Sequence, residues 1–270
     1  MIPTGTEMHV LDIDLDFFLN ERVDGRSDDI SNRPDSSGLT PWGRDETTYF
    51  LEGCLNVHGK IPGAVVRSHN EVFEKWKLLT KTSELRTPFK VVHVDAHSDL
   101  GMGFPSWTYL HDEFLSRDVA ERPEANEGPY GVNFGSWLAF AIGCQWISQL
   151  DFVINRNWHD DIPRFLLSDA SYEAISVKAP LGVLPYGSYK LEIELMHIPP
   201  LIDSSENAVM RARTKRGEPT IPFNILTIEN LGVLYSNTEW DYIFLSHSPG
   251  YVPISADPVL ELIGGYVKNK

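Results

Sequence analysis

Apolar and polar positions fall into six short runs: VLDIDLDFF at 10 to 18, PGAVVRS at 62 to 68, FKVVHVD at 89 to 95, LDFVIN at 150 to 155, KLEIELMHI at 190 to 198 and WDYIFLSH at 240 to 247. Their length and their alternation or continuous apolar character predict strands. Between them, NEVFEKWKLLTKT carries Val72, Phe73, Trp76 and Leu79 at helical spacing, and FGSWLAFAIGCQWISQL at 134 to 150 is apolar nearly all round. Both predict helices. Strands alternating with helices predict an α/β fold, a three-layer αβα arrangement around a mostly parallel, doubly wound sheet. Residues 20 to 45, rich in Gly, Pro, Ser and Asp, read as a loop or lid, and a second loop at 204 to 220 concentrates Arg211, Arg213, Lys215 and Arg216. With no repeat and no linker, the 270 residues read as one domain.

A hydrophobic fraction of 42% and a charged fraction of 23% are those of a soluble globular protein. No apolar run approaches the ~20 residues of a membrane span, and MIPTGTEMHV lacks the basic start and apolar stretch of a signal peptide. These features predict a cytoplasmic protein. The net charge of -15 argues against nucleic acid and anionic membranes as partners and suits a cationic substrate. Cys54 and Cys144 lie in apolar surroundings without CxxC spacing, which predicts small core residues rather than a thiolate metal site.

The acidic positions change the picture. Asp12, Asp14 and Asp16 alternate within the first run, so an unbroken strand would point all three to one side. Ionised carboxylates cannot be buried without a cationic counterpart. In FKVVHVDAHSDLG, Asp95, His97 and Asp99 alternate again where an apolar strand ends. In a parallel sheet such ends face the ligand crevice. Carboxylates and an imidazole at this spacing can reach two metal ions about 3.5 to 4 Å apart, and the ligand types suit manganese or another first-row dication better than calcium or structural zinc. His69, in AVVRSHNEV, ends another predicted strand and is a third contributor. His93 lies deeper on the same face as Asp95 and reads as a support for the ligands, while His111 follows a short loop and reads as a proton shuttle at the mouth of the site.

These motifs resemble those of the ureohydrolase superfamily, which includes arginases, agmatinases and, more distantly, histone deacetylases. HVDAHSDLG is similar to the family's DAHxD metal motif, DIDLD to its DxD motif, and the histidine of SHNEV to the one that ends an earlier strand and opens a helix. The longer pattern, with LDIDLDFF first and SHSPGYVP near the C-terminus, resembles peptide arginases, which convert arginine side chains of ribosomally made precursor peptides to ornithine and urea. The resemblance implies an arginase-like fold, two manganese ions and an arginine-containing peptide as partner. Carried over by position, His69, Asp95, Asp99 and Asp12 would surround one ion and Asp95, His97, Asp12 and Asp14 the other, with Asp16 entering if the register is shifted.

In ordinary arginases the DxD strand follows the DAHxD strand, whereas here it precedes it. The glutamate that holds the guanidinium has no secure counterpart; Glu52, Glu71 and Glu229 are the candidates. The implied chemistry is attack of a metal-activated hydroxide on the guanidinium carbon, with Asp14 stabilising the intermediate or moving its proton. The rival expectations are a hydrolase of a small free guanidine or amide, and a metal-stabilised peptide-binding protein without catalysis.

Overall fold

The computed structural model describes residues 7–24, 32–101, 104–163, 166–167, 186–192 and 220–270. Among them, one sheet holds eight strands: β1 (His9–Asp14), β2 (Ile61–Val66), β3 (Phe89–Asp95), β4 (Ile147–Ile154), β5 (Gly187–Glu192), β6 (Thr220–Leu226), β7 (Tyr242–Ser246) and β8 (Val267–Asn269). Their order is β5-β6-β4-β3-β1-β7-β2-β8. Every pairing is parallel except that of β5 with β6 at one edge.

Alternation within β1 divides the core. Val10 belongs to the cluster that also contains Val72, Phe73 and Trp76 of α2 (Glu71–Lys81), Trp107 of α3 (Phe104–Tyr109) and Trp137 to Ile142 of α4 (Trp137–Gly143). Leu11 and Ile13 belong to the cluster on the other face. There they meet Phe50, Leu51 and Cys54 in the π-helical turn Tyr49–Cys54 that continues α1 (Arg44–Thr48), Leu231 and Tyr235 of α5 (Ile228–Tyr235), and Val259 and Ile263 of α6 (Asp257–Gly264). Helices therefore cover both faces, the three-layer α/β architecture the alternation predicts. Cys54 and Cys144 are free and buried, as expected.

The first strand is shorter than its run of aspartates. β1 ends at Asp14, and Leu15–Phe18 turn into a 3-10 helix for which Asp14 is the cap, its carboxylate accepting the Asp16 N–H. Phe17 and Phe18 drive this turn by packing against Phe50 and Trp42. The apolar segment 134 to 150 also divides. Its helix stops at Gly143, Gln145 turns the chain with φ +59°, and β4 starts at Ile147. Of the 20 to 45 segment, residues 25 to 31 lie outside the described residues; Pro41 bridges to Leu19, just past the 3-10 turn, and the segment runs into α1. Of the run at 190 to 198, residues 193 to 198 lie outside the described residues, as does the basic loop at 204 to 220 apart from Thr220. No helix among the described residues is long and apolar enough to cross a membrane.

β1 and β2 are consecutive in the chain, yet β7 lies between them in the sheet, while β3 lies on the other side of β1. The chain thus passes to β2 on one side of β1 and returns to β3 on the other, a reversal that opens a crevice at the carboxyl ends of these strands.

Candidate metal centre

Four neighbouring strands deliver their ends to that crevice. β1 supplies Asp12 and Asp14, with Asp16 just beyond in the turn; β2 leads to His69, β3 to Asp95, His97 and Asp99, and β7 to Ser248. Asp12, Asp14, Asp16, His69, Asp95 and Asp99 are all buried, and His97 is partly exposed.

His69 Nδ1 lies 3.1 Å from Asp14 Oδ2, 3.1 Å from Asp95 Oδ2 and 2.9 Å from Asp99 Oδ2. Neither this nitrogen nor Asp95 Oδ2 has a hydrogen-bond partner of acceptable geometry. Two buried polar atoms converging without satisfying one another is the arrangement expected of ligands around a cation. A second group joins it through Asp95. His97 Nδ1 lies 2.8 Å from Asp16 Oδ2 and 3.7 Å from Asp95 Oδ1. The sets Asp14, His69, Asp95 and Asp16, Asp95, His97 each have the proximity needed to hold a metal ion.

Asp12 stands behind these ligands. Its Oδ2 is 3.0 Å from His69 Nε2 and 2.7 Å from His93 Nδ1. A proton on His69 Nε2 shared with Asp12 leaves Nδ1 free to offer its lone pair to the crevice. Asp12, His69 and His93 also lie close enough to form a donor group of their own, as do His93, Asp95 and Asp99. The contacts to the crevice nevertheless follow the shifted register, Asp14 with Asp16, because β1 ends one alternate position before the aspartates do. His93 is fully buried, beside Asp12 and with its ring stacked on that of His69.

Several contacts involve residues given no role in the sequence reading. Trp137 Nε1, from α4, donates to Asp99 Oδ2 at 2.6 Å, and Asp99 itself turns with φ +49°. The Ser248 hydroxyl donates to Asp14 Oδ2 at 2.5 Å. Asp161 accepts the Ser98 N–H at 3.0 Å, between His97 and Asp99 in the chain. A pocket of about 360 Å³ opens onto these groups, bounded by Asp14, Asp16, His69, His97 and Asp99 together with Arg22, Asp24, Asp161 and the rings of Phe134 and Tyr251.

Other expected residues lie elsewhere. His111 is buried with its ring stacked on Trp107 and does not line this pocket, so it is not at the mouth where a shuttle was expected. Glu52 accepts the Tyr266 hydroxyl, and Glu71 accepts backbone N–H groups of Arg67 and Ser68 at the start of α2. Glu229 sits exposed in the first turn of α5. None of the three glutamates borders the pocket.

The electrostatics are those of buried carboxylates and imidazoles crowded together. Burial, followed by repulsion from Asp16 and Asp95, pushes the Asp14 carboxyl up to about 8. Asp95 is raised for the same reasons, by burial first and then by Asp16 and Asp99. Burial opposes charge on Asp12 as well, yet His69 and His93 outweigh it and hold that carboxyl down at about 2. Burial disfavours charged imidazole, but Asp12 and Asp99 raise His69 well above its ordinary value, and Asp16 and Asp95 raise His97 to about 12.

No family model, curated protein or solved structure matches the chain.

Proposed function

We propose that the protein is a dinuclear manganese hydrolase that cleaves the guanidinium group of arginine side chains in a peptide, giving ornithine and urea. The observation that carries the reading is Asp95 shared between two donor sets, each with one imidazole, whose other members Asp14, His69, Asp16 and His97 line one pocket. The donors are carboxylate oxygens and imidazole nitrogens without thiolate, a set that manganese and related dications accept. His69, Asp14, Asp95 and Asp99 would hold one ion, and Asp95, His97, Asp14 and Asp16 the other. When bound, the two ions supply hydroxide near neutral pH and offset negative charge that develops on the substrate.

The chain's own residues do the rest. Asp12 and His93 fix the His69 ring, Trp137 holds Asp99, and Ser248 holds Asp14. Asp14, which lines the pocket beside His69, is the group that takes the proton of the attacking water and returns it to the leaving nitrogen. The motif resemblance and the acidic charge favour a peptide-borne arginine as the cation bound.

Urea release and mass spectrometry on an arginine-containing peptide, beside free arginine and agmatine, test the reading with manganese-loaded protein. Conversion of peptide arginine to ornithine is expected, and Asp14→Asn is expected to lower it by at least about 100-fold. Turnover of free guanidines alone would move the assignment to a small-molecule ureohydrolase. Metal binding without turnover of any guanidine would leave a peptide-binding protein.

A further inference from the structure

Arg22 places a guanidinium in the mouth of the pocket. Its side chain is only 7% exposed. Nε donates to Asp24 Oδ1 at 2.7 Å, Nη2 to Asp161 Oδ2 at 3.3 Å, and Nη1 to the His159 carbonyl. Two carboxylates and a carbonyl arranged about one planar cation form a recognition site for guanidinium rather than for a point charge.

This site is coupled to the metal-binding residues. Asp161 Oδ2 is held by the Ser98 N–H, and Oδ1 accepts from Trp158 Nε1 at 3.2 Å. Asp24 Oδ1 lies 3.5 Å from His97 Nε2. Gly101 lets the two walls close: a Cβ there would stand 2.9 Å from the Asp161 carbonyl oxygen. Asp161 is therefore fixed against the loop that carries His97 and Asp99, with no flexible linker between recognition and chemistry.

We propose that Asp161, assisted by Asp24, is the residue that holds the substrate guanidinium, and that Arg22 occupies this place as an internal competitor which an incoming arginine displaces. The inference rests on the guanidine-hydrolase reading for its substrate but not for its geometry. A purely structural Arg22 would tie residues 20 to 24 to residues 158 to 161, and removing it would loosen the pocket. An internal competitor predicts the opposite, because its removal empties a preformed site.

Calorimetric titration with Nα-acetyl-arginine amide, on manganese-loaded and on chelator-treated protein, separates the two. Arg22→Ala is expected to tighten binding by about fivefold or more, and Asp161→Asn in that background to weaken it by about tenfold or more. Arg22→Gln is a second variant that keeps a polar side chain at this position. Equal or weaker binding by both Arg22 variants would overturn the proposal, as would an Asp161→Asn variant that binds as well as its parent. Urea release read on the same samples isolates the hydrolase reading: the expected binding pattern without urea sinks that reading and sustains the subsite, whereas urea with unaltered binding does the reverse.

Discussion

Asp12 shows how a residue can match a metal-binding motif without bordering the pocket. It accepts from two imidazoles, so any influence on an ion in the pocket would pass through His69. Asp12→Asn is expected to lower manganese affinity by about 10- to 100-fold while the chain stays folded, measured by titration with a metal-sensitive dye. Equal affinity would show that the His69 ring needs no carboxylate behind it. The alternation of aspartates made the cluster legible in the sequence, because like charges in an apolar run demand a cation. It did not reveal which pair faces the pocket. That depends on where β1 stops, and the stop is made by Phe17 and Phe18 packing on residues more than twenty positions away. Asp161 and Arg22 carried no pattern, and Ser248 lay in SHSPGYVP without a role marked for it, since each reaches the site by a long-range hydrogen bond.

At the scale of elements, the strands most continuous in apolar character were the most legible: β3 has the bounds its sequence predicts, and α2 begins and ends within one residue of its periodic segment. The buried segment at 134 to 150 was legible as apolar but not as two elements, because periodicity cannot separate a buried helix from a buried strand. Trp137 opens α4, and from there its indole reaches Asp99. Trp137→Phe keeps most of the ring volume and removes the donor to a buried carboxylate. Such a bond contributes about 1.5 to 3 kcal/mol, and the loss is expected as a lower urea midpoint of the metal-free protein with an unchanged m-value. An unchanged midpoint would mean that the bond contributes nothing to folding.

For the whole molecule, the cluster makes stability depend on pH and on metal together. Asp14 titrates near 8 when folded and near 3.8 when unfolded, so protonation stabilises the metal-free fold. That contribution is complete below about pH 4 and is lost as the pH rises through 8. A bound cation needs the same carboxyl ionised, so metal affinity runs the other way. Metal-free protein is expected to melt at a lower temperature at pH 8.5 than at pH 6, and manganese to raise the melting temperature more at pH 8.5, by differential scanning calorimetry. A larger rise at pH 6 would contradict the burial of Asp14 in the cluster. The sheet order adds a consequence in time. β7, residues 242 to 246, lies between β1 and β2, which are made far earlier in synthesis. Until it arrives, the aspartates of the first strand and His69 after the second are separated by a vacant strand position, about 9.6 Å from one strand to the other. A nascent chain therefore carries nearly all of these carboxylates and imidazoles long before they can converge, and insertion of this late strand is the event that brings them together.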